Sequence, residues 1–173
     1  MEHLHHSPSA DGGGLSPLKL RNPLGIALLA VTACGCATRQ TPGPSVSLSP
    51  SDVVQIQVLA LQHINEPTPN AGVWTTFQFA SPANRRVTGP YGHFLRLIKS
   101  QTNYSFLHAR AVRFYPVRQD DTKAEREVEL TDENGQATRW LLSLSRQQSG
   151  KFENCWMTDG VTRVEGPEKS GGL

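Results

Sequence analysis

Three cysteines (Cys34, Cys36 and Cys155) and six histidines are the side chains best suited to nucleophilic, metal or proton-transfer chemistry. Their spacing removes most of these options. A structural zinc site needs about four closely spaced ligands, and Cys34-Gly35-Cys36 has no partner cluster. His3, His5 and His6 lie in a Gly-, Ser- and Pro-rich leader, where a loose histidine cluster is incidental. No Ser-His-Asp order, phosphate loop or metal-ligand spacing is present, so no cofactor or metal is expected. Acid–base catalysis would need a base whose pKa lies near working pH. His93 with Asp159 is the plausible pair, with His63 and His108 as substitutes. The plain readings compete: His93 lies near a predicted helix start, normally a surface position, and Asp159 precedes Gly160, as in a turn. Cys155, alone in a strand-like run, reads as a small buried hydrophobe, although pairing with Cys36 is open. Cys34 is set apart by what precedes it.

Residues 1–17 show no periodicity and read as unstructured. Lys19 and Arg21 then lead into the apolar run Leu24 to Ala33, about half the length a helix needs to cross a bilayer. Length, basic lead and small-residue exit are those of a signal-peptide core. Val31-Thr32-Ala33-Cys34 further resembles the lipobox of bacterial lipoproteins. That resemblance implies that the Cys34 thiol receives diacylglycerol and that cleavage leaves Cys34 as the new N-terminus. Two acyl chains then anchor stably where one would not. The Pro- and Ser-rich stretch from Thr38 to Pro50 reads as a flexible spacer. The basic residues come late, which a chain start near Leu18 or an organellar import peptide would explain, and an uncleaved hydrophobic anchor is the plain alternative. The expected organisation is a signal segment with its leader at 1–33, a tether at 34–48, a folded domain at 49–164 and a disordered tail at 165–173. The expected location is a cell-envelope membrane, with the domain facing a non-cytoplasmic compartment, or alternatively an organellar lumen.

About 120 residues remain for the fold, enough for one core and too few for two. Of the whole chain, 37% of residues are hydrophobic and 18% charged, which is not a disordered composition. The net charge is +2, the basic residues are dispersed, and Arg85-Arg86 is their only adjacent pair. That footprint argues against nucleic acid as a partner.

The domain opens on Ser49-Pro50-Ser51-Asp52, a capping-box pattern with proline at the first helical position. Val53, Val54, Ile56, Val58, Leu59, Leu61 and Ile64 follow as one helical face. Gln57 falls inside that apolar stripe, so once buried it must find hydrogen-bond partners. Gln55 and Gln62 fall opposite it and are expected to be wet. Glu66-Pro67 ends the helix. A second helix is expected over Val73–Phe79, a turn or tight helical corner at Ser81–Asn84, and a third helix from Thr88-Gly89-Pro90 to Lys99 with Phe94, Leu95, Leu97 and Ile98 inward. The period then changes to two. Strands are expected at His108–Val117, at Ala124–Thr131, at Ala137–Arg146 after the Asn134-Gly135 hairpin turn, and at Phe152–Thr158, closed by Asp159-Gly160. Pro116 marks the first as an edge. Helices first and an antiparallel sheet second is an α+β domain with its helices on one sheet face.

Phe77-Gln78-Phe79-Ala80-Ser81-Pro82-Ala83-Asn84, followed by Thr88-Gly89-Pro90 and Phe94, is similar to the central signature of an uncharacterised family, domain of unknown function 4864. The helix bearing Gln57, the string Leu144-Ser145-Arg146-Gln147 and the string Cys155 to Val161 resemble it too, in the same order, over Ser51 to Val164. The element order is further similar to the nuclear transport factor two-like superfamily. That likeness implies a cone-like (cystatin-like) fold, a curved sheet wrapped around a long helix, whose cone sometimes catalyses and sometimes only binds.

These readings favour a non-enzymatic domain at a membrane surface that binds a small molecule or a protein. Gln57, Trp74, His93, Trp140, Trp156 and Asp159 are the pocket candidates. The alternatives are an isomerase- or dehydratase-type enzyme using His93 and Asp159, and a scaffold docking through the Glu125, Glu127 and Glu129 row, which otherwise reads as a solvated face.

Overall fold

The computed structural model describes residues 42–100 and 104–164. Cys34, the expected signal segment and the expected tail at 165–173 lie outside the described residues. Helix α1 (Pro50–Gln62) begins as its sequence directs: the Ser49 hydroxyl accepts from the Asp52 amide at 3.2 Å, and the Asp52 carboxylate accepts from the Ser49 amide at 2.9 Å. Hydrogen bonds from the Ser49 hydroxyl and amide hold the Asp52 carboxyl below the usual carboxylate range. Val53, Val54, Val58 and Leu61 are buried with Gln57 among them, whereas Leu59 points outward. Gln55 and Gln62, expected to be wet, are half-buried, and Gln62 Nε2 donates to the Ala109 carbonyl at 3.5 Å.

Helix α2 (Ala71–Phe79) starts earlier than the apolar content alone predicts, after a cis Glu66–Pro67 peptide and the left-handed Asn70. Ser81–Asn84 opens a further helix, α3 (Pro82–Thr88), because the Ser81 hydroxyl accepts from the Asn84 amide at 3.1 Å. Helices α4 (Tyr91–Ile98) and α5 (Tyr104–Leu107) complete the layer. Phe94 of α4 is buried, while Leu97, expected inward from its spacing, is 40% exposed at the rim of a cavity.

Strands β1 (Ala111–Gln119), β2 (Lys123–Thr131), β3 (Ala137–Arg146) and β4 (Trp156–Val164) form one curved antiparallel sheet in chain order. This is the expected α+β architecture. Alternation in β2 sends Ala124, Arg126, Val128 and Leu130 to the helices and leaves Glu125, Glu127 and Glu129 on the opposite face. There Arg118 and Arg139 lie 3.1–3.8 Å from their carboxylates. β1 is an edge strand, and its register slips between Phe114 and Val117, where Pro116 has no N–H to offer. The hairpin between β2 and β3 turns at Asn134-Gly135 as expected, with the Asp132 carboxylate accepting from the Asn134 and Gln136 amides.

The last strand departs from the sequence reading. Phe152 and Asn154 are not in it. Gly150–Phe152 forms a short 3-10 turn, and Gly150 and Asn154 take positive φ, which no extended run accommodates. β4 instead begins at Trp156 and runs through Asp159-Gly160 to Val164. The pairings Ser143↔Gly160 and Leu144↔Thr158 leave Asp159 as the extra residue of a bulge, so the dipeptide bends the strand without ending it.

Candidate functional site

The bulge at Asp159 decides which side chains of β4 face the helices. Before it, Thr158 lies opposite the inward Leu144. After it, Val161 lies opposite Leu142 and Arg163 opposite Trp140. Parity has moved by one residue, because a strand's side chains alternate with period two. These positions and the helices enclose a cavity of ≈ 410 Å³ lined by Val58, Leu61, Phe94, Ile98, Phe106, Trp140 and Leu142 among others. The Phe106 and Trp140 rings meet at 4.9 Å, and the Trp140 indole N–H donates to the Thr138 hydroxyl at 3.3 Å.

The polar groups of the lining converge on Thr158. Gln57 Nε2 donates to the Thr158 hydroxyl at 2.7 Å and to the Val53 carbonyl at 3.2 Å. The Thr158 carbonyl accepts from the Ser81 amide at 2.9 Å and from Asn84 Nδ2 at 3.0 Å. Ala80 and Thr158 also form an isolated parallel bridge. Gln57 therefore does what a buried glutamine in an apolar stripe must do, and it fastens α1 to β4. Thr76 of α2 donates to the Gly72 carbonyl at 2.9 Å and reaches the Gln57 carbonyl at 3.4 Å. Arg163 is the one ionisable side chain in the lining among the described residues.

The model of the family described as domain of unknown function (DUF4864) matches residues 51–170. The chain belongs to the DUF4864 family. The match spans every residue of the cavity lining, from Gln57 to Arg163, and does not include the leader around Cys34. No curated protein and no solved structure matches the chain. The nuclear transport factor two-like analogy accordingly rests on element order alone.

Of the pocket residues expected from sequence, this DUF4864 domain brings two together in the cavity, Gln57 and Trp140. Trp74 is 45% exposed on the far side of α2, edge-on to Tyr91 at 5.2 Å and beside the Pro67–Ala71 loop. Trp156 is buried in the core and borders a separate cleft with Val46, Pro50 and Arg146. His93 is exposed, with Nδ1 2.6 Å from the Thr88 carbonyl oxygen. Asp159 lies in the bulge, 3.5 Å from Lys123 Nζ. His93 and Asp159 thus have separate partners and form no pair. His63 lies 3.5 Å from Glu66, both exposed, and His108 borders a shallow cleft near Glu133. Cys155 is buried and not disulfide-bonded, and burial pushes its thiol pKa up. Among the described residues no group of three or more His, Cys, Asp or Glu is placed to hold a metal ion, and no helix is long and apolar enough to cross a membrane.

Sequence reasoning missed Thr158, Asn84, Phe106 and Arg163. The alternation Val161, Arg163 beyond Gly160 was the available signal for the last, but Asp-Gly reads as a stop.

Proposed function

We propose that this DUF4864 domain is a binding module that holds a small, mainly apolar ligand between its helices and its sheet. The observation that carries the reading is the cavity of ≈ 410 Å³, walled by Phe94, Phe106, Trp140 and Leu142 around a few convergent polar groups. Small-molecule sites have this character and fall in the range of ~300–1,000 Å³. Binding is favoured over acid–base catalysis because proton transfer needs a group that titrates near working pH. The lining's one ionisable side chain among the described residues is Arg163, with no histidine or carboxylate beside it.

1-Octanol is a suitable neutral probe, measured by titration calorimetry on the full chain carrying Cys34→Ser so that no acyl chain competes. It is expected to bind with a negative heat-capacity change, the mark of apolar burial. Leu142→Trp, which fills the cavity from β3, is expected to weaken it about tenfold or more. Folded protein that gives no heat with 1-octanol at two well-separated temperatures would end the reading.

We further propose that Cys34 anchors the domain through lipid, as its lipobox-like context implies, facing a non-cytoplasmic compartment. The expected result is that Cys34→Ser moves the protein from the membrane fraction to the soluble fraction, by immunoblot of fractionated cells. Unchanged membrane association would count against the lipid.

A further inference from the structure

The cavity carries one formal charge among the described residues, and it is positive. The sheet holds Arg113, Arg118, Arg126, Arg139, Arg146 and Arg163. Arg118 and Arg139 lie against glutamates, Arg113 lies over the Tyr115 ring, Arg126 donates to backbone carbonyls, and Arg146 donates to the Asn154 carbonyl. Arg163 alone has no carboxylate, carbonyl or ring partner among the described residues, and it borders an apolar cavity opposite Trp140. The cavity mouth beside it is apolar and wet: Leu97 is 40% exposed and Val161 44% exposed. Soluble domains seldom leave apolar side chains around an open cavity unless something covers them.

We propose that the ligand is a single-chain amphiphile with a carboxylate head. Its hydrocarbon lies between Phe94, Phe106, Trp140 and Leu142, and its carboxylate meets the Arg163 guanidinium at the mouth. The proposal rests on the cavity being a ligand site and adds the chemical class of the ligand. Two features favour a monocarboxylate. The guanidinium fork matches a carboxylate in two parallel hydrogen bonds, and one arginine with no second cation in the lining balances one negative charge. Leu97 and Val161 would then cover the first carbons of the chain and lose their exposure.

Octanoate, 1-octanol and octylammonium, titrated at pH 7.5 into the full chain carrying Cys34→Ser, separate this inference from the reading beneath it. Octanoate is expected to bind about fivefold more tightly than 1-octanol, the strength of one well-placed ion pair at a wet rim, with octylammonium weakest. Arg163→Gln is expected to remove the octanoate preference, so that octanoate and 1-octanol bind about equally. Added salt would shrink the preference in the wild type alone. Equal affinity for octanoate and 1-octanol, or an octanoate affinity indifferent to Arg163→Gln, would overturn the carboxylate and leave an apolar cavity standing. Failure of 1-octanol and octanoate alike to bind would remove both readings together.

Discussion

Gly72→Ala is expected to destabilise the domain by about 3 kcal/mol, the upper end of what overpacking costs. A Cβ built on Gly72 falls 1.9 Å from the Ala60 carbonyl oxygen and 2.8 Å from Ile64 Cα. Both are backbone atoms of the α1 side of the crossing, so no side chain can swing aside. The Gly72 amide also donates to the Ile64 carbonyl at 3.0 Å, which pins the start of α2 to the end of α1. Alanine is the better helix former by about 1 kcal/mol, and that gain opposes the clash. The clash is larger, because only parting the two helices relieves it. Parting them would also draw the Thr76 hydroxyl away from the Gln57 carbonyl, now 3.4 Å apart, and so loosen one wall of the cavity. In urea the midpoint is expected to fall with the slope unchanged. Gly160→Ala, whose Cβ would meet nothing within 4 Å, is the matched control and is expected to shift stability by no more than about 0.5 kcal/mol. A Gly72→Ala midpoint equal to that of the control would mean that the close crossing does not constrain the helices.

Gly72 also illustrates which parts of the molecule were legible beforehand. Its role depends on a contact between helices, and nothing local in Ala71-Gly72-Val73 announces it. Where the determinant is local, sequence reading succeeded. The Ser49–Asp52 capping box, the Asn134-Gly135 turn and the alternation of β2 each involve neighbours within a few residues. Where two signals competed, it failed. Asp159-Gly160 has turn chemistry, yet across from Ser143 and Leu144 it is absorbed as a bulge, since the ladder's hydrogen bonds continue beyond it. That misreading is why Arg163 was overlooked, as a strand stopped at Thr158 cannot place a side chain opposite Trp140. The same limit explains the aromatic candidates. Composition says that Trp74, Trp140 and Trp156 will pack, but not on which element's far side. Only Trp140, fixed in phase by Leu142 and Leu144 on a cleanly alternating strand, lines the cavity.

Arg126→Met is expected to destabilise the domain by about 2–4 kcal/mol, although it replaces a buried charge with an apolar side chain of similar length. Arg126 is 8% exposed and sits on the helix-facing side of β2 between Ala124 and Val128. Its Nε donates to the Tyr115 carbonyl at 2.9 Å, and Nη1 donates to the carbonyl and hydroxyl oxygens of Ser51 at 3.1 and 2.9 Å. The guanidinium also lies 4.7 Å from the Phe114 ring centroid. Burial lowers its pKa, with Asp52 acting in the opposite direction, but an arginine remains charged. Removing a buried charge relieves desolvation, and such replacements are sometimes neutral or better. Here the bonds decide the sign. Hydrogen bonds to charged groups contribute about 1.5–3 kcal/mol, and methionine would take this donor from the Tyr115 carbonyl and the Ser51 hydroxyl. Tyr115 lies in the bulge of β1, where the ladder with β2 is interrupted, and Ser51 lies in the first turn of α1. Arg126 thus fastens an irregular edge strand to the first turn of α1. Arg126→Lys is expected to recover little, since a single ammonium cannot span both sites as the planar fork does. Thermal unfolding of both variants checks the argument, together with amide exchange near Val117. If Arg126→Met is as stable as the wild type, desolvation outweighs the hydrogen bonds. If Arg126→Lys matches the wild type, it is the charge and not the fork that holds β1 to α1.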